Sequence, residues 1–132
     1  MSASPPFQGG CLCGAVRFTV TGPTKWSAHC HCTLCRRAHG AAFVTWVGVA
    51  EENFRLDADP TLRWFESTPG AYRGFCDRCG STLLFRSGRW PGEMHVTRAA
   101  FDGDIDRSPA GHAYYSTHVG WAKVDDDLPV RR

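Results

Sequence analysis

Residues 76–80 read Cys76-Asp77-Arg78-Cys79-Gly80, and this stretch predicts the central feature of the fold. A Cys-x-x-Cys pair lets a tight turn bring two thiolates onto one metal ion, and a following glycine permits the positive φ that such a turn often needs. The alternative is a redox dithiol of the thioredoxin type, which requires a βαβ context that the surrounding sequence lacks. We therefore interpret Cys76 and Cys79 as half of a tetrahedral metal site.

The other half is predicted in residues 9–14, which read Gly9-Gly10-Cys11-Leu12-Cys13-Gly14. In an extended strand, residues i and i+2 lie about 6.6 Å apart, whereas two thiolates on one tetrahedral zinc lie only about 3.8 Å apart. The backbone must bend there, and three flanking glycines allow it. The prediction is a closed structural zinc site, without an open position for chemistry, formed by Cys11, Cys13, Cys76 and Cys79.

The three remaining cysteines lie within the six residues Cys30-His31-Cys32-Thr33-Leu34-Cys35. Three thiolates cover one face of a tetrahedral zinc ion and leave the fourth position for water or a substrate. Two alternatives stay open at this point. The site is either an open catalytic centre, with Cys30, Cys32 and Cys35 as zinc ligands, or a centre that is closed by a histidine or oxidised to a disulfide. The candidate fourth ligands are His29, His31 and His39.

Two arginines follow this group directly and are the candidate substrate-binding residues. Arg36 and Arg37 can offset the charge of three thiolates or hold a substrate carboxylate with a bidentate geometry. A surface ion pair is the alternative role for the two side chains. Further along the chain, His95 lies in an apolar strand pattern, which predicts a hydrogen-bonded core or pocket histidine rather than a metal ligand.

Composition indicates one globular domain, spanning residues 1–132. Of these residues, 42% are hydrophobic and 21% are charged, which is ordinary globular usage. Fifteen basic and thirteen acidic side chains give a net charge of +2, so charge does not favour a nucleic-acid partner. No apolar run approaches the roughly 20 residues of a membrane span, and the amino terminus lacks the pattern of a secretion signal. We expect a cytoplasmic protein without a membrane partner, and no feature indicates its oligomeric state.

Seven cysteines in such a chain favour metal ligation, because an odd number leaves at least one thiol outside any disulfide scheme. Fourteen glycines and eight prolines separate short runs rich in β-branched and aromatic residues, which predicts a mainly β fold. One short helix is predicted over Thr33–His39, ended by Gly40. The predicted strands are Ala15–Thr21, Phe43–Val49, Leu62–Phe65, Ala71–Phe75, Thr82–Arg86 and Met94–Ala99, with weaker signals at Ala113–Thr117 and Trp121–Val124.

The ordered set of motifs resembles a known enzyme family. These motifs are the Cys-x-Cys of residues 9–14, the Cys-x-Cys-x-x-Cys-Arg-Arg of residues 30–37 and the Cys-x-x-Cys-Gly of residues 76–80. Together they resemble the glutathione-dependent formaldehyde-activating enzyme family, which includes the centromere protein V group. The closing segment from His112 to Pro129 fits the same family, so the resemblance extends over nearly the whole chain.

The resemblance implies a single compact zinc-binding domain of the β-tent type, built from short antiparallel strands. It also implies two zinc ions, a structural one on four cysteines and a labile catalytic one on Cys30, Cys32 and Cys35. The implied activity is that of a carbon–sulfur lyase acting on thiol–aldehyde adducts. Its partners would be a small thiol such as glutathione and a small aldehyde such as formaldehyde, which together form S-(hydroxymethyl)glutathione.

Two other function classes remain as alternatives. In the first, both zinc ions are structural and the domain is a non-catalytic binding module, as the centromere-associated relatives suggest. In the second, the chain is a redox enzyme like methionine sulfoxide reductase B, which shares the β-tent fold. The metal-type spacing of all seven cysteines disfavours this second class, because it leaves no isolated cysteine as a redox nucleophile.

Overall fold

The computed structural model describes residues 3–132, which contain ten β-strands and one short helix. The helix, α1, spans Thr33–His39, and single 3-10 turns lie at Glu51–Asn53, Arg98–Ala100 and Tyr115–Thr117. The mainly β fold class predicted from the sequence is confirmed. The strands are β1 (Phe7–Gly10), β2 (Arg17–Val20), β3 (Trp26–Cys30), β4 (Val44–Ala50), β5 (Phe54–Ala58), β6 (Leu62–Thr68), β7 (Ala71–Cys76), β8 (Thr82–Ser87), β9 (Glu93–Thr97) and β10 (His112–Ala113).

The strands form two sheets of unequal size. The small sheet has the order β1-β2-β5, and the large sheet has the order β10-β3-β4-β9-β8-β7-β6. Neighbouring strands are antiparallel, as expected, except that β10 pairs in parallel with β3. The large sheet therefore pairs β4 with β9, although these two strands are distant in sequence.

The main hydrophobic core contains buried residues from both sheets. Phe18 of the small sheet is fully buried and packs against Phe54 and Phe101, with ring centroids 5.6 and 5.3 Å away. Val47 and Val96 of the large sheet belong to the same cluster. Because full burial of one such apolar side chain contributes about 1.5–3 kcal/mol, this core holds the two sheets together.

Most predicted elements are present, with shifted bounds. The helix bounds agree with the prediction, since the Cys32 thiol accepts a hydrogen bond from the Cys35 N–H at its start and Gly40 ends it with φ 60°. Two weak strand predictions were wrong. Trp121–Val124 forms no strand, because it pairs with no neighbouring backbone there, and Ala113–Thr117 is mostly a 3-10 turn after the two-residue β10.

The helical content is small and local. With seven residues, α1 is the longest helix within residues 3–132, and no helix in this part of the chain is long and apolar enough to cross a bilayer.

A glycine in β4 leaves space on one face of the large sheet for a neighbouring side chain. Gly48 pairs with Trp26 of β3 on one side and with His95 of β9 on the other. A Cβ atom at Gly48 would lie 2.1 Å from the indole Nε1 of Trp26, so the indole lies across β4 only because no side chain is there. From this position, Trp26 Nε1 donates a hydrogen bond to Glu93 Oε1 at 3.1 Å.

We expect Gly48→Ala to lower the free energy of unfolding by about 1–3 kcal/mol, because the packed indole of Trp26 must move. Urea titration followed by tryptophan fluorescence measures this change. Gly88→Ala is the matched control, since a Cβ there meets no atom within 4 Å. This control should change the unfolding free energy by less than about 0.5 kcal/mol. Equal effects of the two substitutions would contradict the claim that the Trp26 indole requires a glycine at position 48.

Candidate active site

Four cysteine thiols converge at the junction between β1 and β7. Cys11, Cys13, Cys76 and Cys79 each place a sulfur within 4.8 Å of the others. The measured separations include 3.6 Å from Cys11 Sγ to Cys13 Sγ and 3.8 Å from Cys13 Sγ to Cys76 Sγ. These values match the spacing of about 3.8 Å that two thiolates need on one tetrahedral zinc ion. The structure therefore brings together the four residues predicted as the closed metal site.

Polar neighbours contact two of these sulfurs, those of Cys76 and Cys79, and favour their ionised form. The Thr61 hydroxyl lies 3.1 Å from Cys76 Sγ, and this hydrogen bond lowers the pKa of Cys76. The Ser81 hydroxyl lies 3.2 Å from Cys79 Sγ and lowers the pKa of Cys79 to about 5. Hydrogen bonding to a thiolate stabilises the anion, which is the form that binds metal. The surroundings of the cluster are thus those of a metal site.

The backbone around this cluster bends as the sequence predicted. Gly80 has φ 79°, in the left-handed region, and its N–H donates to the Cys76 carbonyl at 2.8 Å. A second contact joins the two cysteine loops directly, since the Leu12 N–H donates to the Ser81 hydroxyl at 3.0 Å. The two loops therefore form one unit even though they are far apart in sequence.

The second cysteine group lies where β3 ends and α1 begins. The sulfurs of Cys30, Cys32 and Cys35 lie within 4.8 Å of one another. Hydrogen bonds from Cys30 and Cys35 lower the pKa of Cys32, and the same contact with Cys32 raises the pKa of Cys30. One thiolate therefore suppresses ionisation of its neighbour, and three thiolates require a cation between them. The group has the donor chemistry of a metal site with three protein ligands.

No histidine joins this second group within residues 3–132. The side chain of His31 turns away, and its Nε2 lies 2.8 Å from His112 Nδ1. His112 Nε2 in turn lies 2.9 Å from Asp126 Oδ1.

His29 Nδ1 contacts the Thr45 hydroxyl at 2.8 Å. The third candidate, His39, packs edge-on against Trp46, with the ring centroids 5.3 Å apart.

Two side chains from the large sheet contact Cys35. Trp46 Nε1 donates a hydrogen bond to Cys35 Sγ at 3.4 Å, and both terminal nitrogens of Arg73 lie 3.8 Å from the same sulfur. Arg73 is only 6% exposed, and no ion pair within the described residues joins it to a carboxylate. A buried charge without a counter-charge is costly, so the thiolates are the anionic partner of this guanidinium.

The three cysteines and Arg73 line a cavity of about 480 Å³. Its walls are largely aromatic, with Trp26, Trp46, Phe85 and Trp90. Arg89 is exposed and lines the same cavity, with its guanidinium 4.9 Å from the ring centre of Trp90. A cavity of this size and composition is typical of a small-molecule site.

The predicted substrate-binding pair lies outside the cavity lining. Arg36 is partly buried and Arg37 is exposed, both on α1, whereas the arginines among the lining residues are Arg73 and Arg89. Binding of a substrate carboxylate by Arg36 and Arg37 therefore stays a prediction.

The comparison with protein families agrees with this arrangement of thiols. A family model described as glutathione-dependent formaldehyde-activating enzyme matches residues 6–117, a span that includes both cysteine groups. The chain belongs to this family. Membership makes it an enzyme of the glutathione-dependent formaldehyde-activating type, as the sequence motifs predicted.

Individual relatives extend this finding. A Halomonas elongata protein that carries the family's name is 30% identical over 126 residues, which cover 89% of this chain and 80% of that protein. A Schizosaccharomyces pombe protein named an uncharacterized lyase is 27% identical over 81 residues, 61% of this chain and 58% of its own length. A crystal structure of a Rhodobacter sphaeroides protein shares the fold, with a TM-score of 0.61 and 21% identity, and the match covers 94% of this chain and 99% of that one.

Sequence reasoning indicated Trp26 and Trp46 as candidate pocket walls, and it missed Arg73, Arg89, Phe85 and Trp90. Arg73 belongs to the strand pattern of β7, where one charged residue among apolar ones gives no sign that its side chain is buried. Its role is visible only once strand pairing places β7 near Cys35. The four aromatic wall residues likewise come from separate parts of the chain, and they are brought together by the large sheet.

We expect Cys76→Ser and Cys32→Ser to have effects of different kinds. Loss of one thiolate from the four-cysteine group should release one metal equivalent and lower the free energy of unfolding by about 4 kcal/mol or more. Cys32→Ser should leave the fold intact, because serine also serves as a helix N-cap in place of the Cys32 thiol. Elemental analysis and thermal melts of both variants measure this. An unfolded Cys32→Ser protein beside a stable Cys76→Ser protein would contradict the assignment.

Proposed function

We propose that this enzyme is a zinc-dependent carbon–sulfur lyase that forms and cleaves thiol–aldehyde adducts. Its reaction would be the addition of glutathione to formaldehyde, giving S-(hydroxymethyl)glutathione, and the reverse cleavage. The observation that carries the proposal is the position of Cys30, Cys32 and Cys35, which form a three-thiol group on the wall of the cavity. The family description supports the two substrates.

The two cysteine groups fit zinc by their chemistry. Thiolates are preferred ligands of zinc, and the four-cysteine group has the required sulfur spacing. We propose one structural ion on Cys11, Cys13, Cys76 and Cys79, and a second, more labile ion on Cys30, Cys32 and Cys35. When bound, the second ion would supply a Lewis-acid position that favours the thiolate form of an incoming thiol.

The protein's own side chains orient the group that faces the substrate. Trp46 and Arg73 both contact Cys35 and so fix this sulfur against the cavity wall. The positive charge of Arg73 also offsets the charge of the thiolates, because the guanidinium is buried beside them. Aromatic walls exclude water from the space where the carbon–sulfur bond forms, which strengthens these electrostatic contacts.

A cation at the edge of the cavity is suited to a carboxylate of the thiol substrate. Arg89 is held against Trp90 and is the exposed arginine of the lining. A guanidinium binds a carboxylate with two parallel hydrogen bonds, which positions the substrate as well as attracting it. The sequence-based candidates for the same role, Arg36 and Arg37, offer a second, separate cationic surface on α1.

A cytoplasmic location is part of the proposal. All seven cysteines are free thiols in the structure, and both metal groups require them to stay reduced.

The activity itself is tested by following exchange between formaldehyde and its glutathione adduct by NMR. We expect the zinc-loaded protein to accelerate this exchange above the spontaneous rate, because the reacting groups are held and desolvated in one cavity. Cys32→Ser should reduce the acceleration at least tenfold by removing a ligand of the second ion. Equal exchange rates with and without protein would refute the glutathione–formaldehyde reaction. Thiol binding without acceleration would indicate another substrate, and absence of both would favour a binding module.

The position of the substrate carboxylate is tested by comparing two exposed arginines. We expect Arg89→Ala to raise the KM for glutathione about tenfold, since it removes a charge-assisted hydrogen bond at the cavity. Arg37→Ala is the matched control and should change KM by less than about twofold, with Arg36→Ala measured beside it. The reverse order of effects would locate the carboxylate on α1, as the sequence alone predicted.

A further inference from the structure

A carboxylate, an imidazole and an indole form a connected group beside the cysteine centre. Glu93 Oε1 lies 3.0 Å from His95 Nε2 and accepts the Trp26 Nε1 hydrogen bond at 3.1 Å. The other oxygen of Glu93, Oε2, lies 3.0 Å from Lys25 Nζ. With the side chain of Glu93 only 13% exposed, these contacts hold the carboxylate in one place. Gly48 makes the arrangement possible by leaving room for the indole.

This geometry determines which nitrogen of His95 carries the proton. An ionised carboxylate only accepts hydrogen bonds, so Nε2 is the protonated nitrogen and donates to Glu93. The hydrogen bonds from His95, Trp26 and Lys25 outweigh the effect of burial and lower the pKa of Glu93, which keeps it ionised. Nδ1 of His95 is consequently left with a free lone pair, and it has no hydrogen-bond partner within residues 3–132.

The imidazole is placed to meet a ligand. His95 is 4% exposed, yet it is one of the residues that line the cavity shared with the three cysteines. Its ring packs edge-on against Trp26 at 4.7 Å and lies 5.7 Å from Phe85. Phe85 in turn lies 6.0 Å from Trp46, whose indole donates to Cys35. No other histidine is among the lining residues.

The charged groups around His95 leave it neutral near pH 7. Burial lowers the pKa of His95 below the ordinary value of 6.5, and the contact with Glu93 offsets only part of this effect. Lys25 adds a further lowering influence. Arg73 lies over the ring of Phe85 and Arg89 over the ring of Trp90, and both arginines line the cavity with positive charge. A neutral imidazole with a free Nδ1 is a competent general base.

We propose that His95 is the proton-transfer residue of this active site and that Glu93 is its positioning residue. The inference rests on the proposed thiol–aldehyde reaction and identifies a general acid–base group for it. Such a group has a definite task in this chemistry, because the hydroxyl of a thiol–aldehyde adduct must lose its proton before the carbon–sulfur bond can break. In hydrolytic triads, a carboxylate likewise orients the histidine that acts as the general base.

The proton balance of the step is complete. In cleavage, His95 Nδ1 accepts the hydroxyl proton, the oxygen electron pair forms the carbonyl double bond, and the carbon–sulfur bond breaks with its pair on the thiolate. In the reverse reaction, which forms the adduct, the thiolate attacks the carbonyl carbon, and the imidazolium returns the proton to the resulting alkoxide. The thiol proton enters and leaves through the same imidazole, so no co-reactant is required.

The first test measures formaldehyde–glutathione exchange in zinc-loaded variants. His95→Gln keeps an amide N–H for Glu93 but cannot transfer a proton, and we expect it to lower the accelerated rate about 100-fold. Zinc content, melting temperature and glutathione binding should stay unchanged. His118→Gln is the matched control, because His118 is exposed and does not line the cavity, and its rate should equal that of the wild type.

The second test is the pH profile of the same accelerated rate. In the wild type the rate should fall as the pH drops through the pKa of His95, because only the neutral imidazole accepts a proton. Glu93→Gln should move this fall to lower pH, since loss of the negative charge lowers the imidazole pKa further. The His95→Gln variant should show no such fall in rate at low pH. A merely structural role for Glu93 would leave the midpoint of the profile in place.

The third test is independent of activity and separates this inference from the proposed function. Nitrogen-15 NMR of the wild-type holoenzyme at pH 7 should show His95 protonated at Nε2 and bare at Nδ1. Imidazolium, or protonation at Nδ1, would overturn the inference even if exchange is accelerated. An unchanged rate in His95→Gln would also overturn it and leave the proposed function standing. No acceleration by the wild type would overturn the proposed reaction, together with the role of His95 in it.

Discussion

The architecture depends on thiols that converge within 4.8 Å of one another, in two groups that could each hold a metal ion. The four-cysteine group joins a loop after β1, in the small sheet, to the turn after β7, in the large sheet. Those strands share no backbone ladder, so the contact between the sheets rests on this group and on the core around Phe18. Hydrogen bonds from Thr61 and Ser81 stabilise the ionised sulfurs of Cys76 and Cys79, which is the form that binds metal.

The second cysteine group has different surroundings from the first. It lies at the wall of a cavity instead of between two loops, and its neighbours include a buried guanidinium. Cysteine thiols therefore form two groups that differ in the number of sulfurs and in what surrounds them. The four-cysteine group lies between two loops with Cys13 exposed, whereas the three-cysteine group lines the cavity, so the proposed roles are a structural site for the first and a ligand-facing site for the second.

The sequence predicted what is local and missed what depends on strand pairing. The three-cysteine group, α1 and each half of the four-cysteine group follow from spacing within a few residues, and the structure has them in place. The strands Phe7–Gly10, Trp26–Cys30 and Phe54–Ala58 were missed, because each has only four or five residues. The contact between Trp26 and Glu93 depends on the register that aligns Gly48 with both β3 and β9. No local pattern contains that register.

The two faces of strand β4 contribute side chains to two different hydrophobic clusters. Val47 and Val49 face the main core, whereas Val44 and Trp46 belong to the smaller cluster with Cys30 and Cys35, beneath the cavity. Because side chains alternate between the faces of a strand, a substitution on the cavity face leaves the core face untouched. Evolution can therefore alter which compounds a descendant accepts while keeping the side chains of the main core. Sequence divergence within the family should accumulate unequally on the two faces of this one sheet.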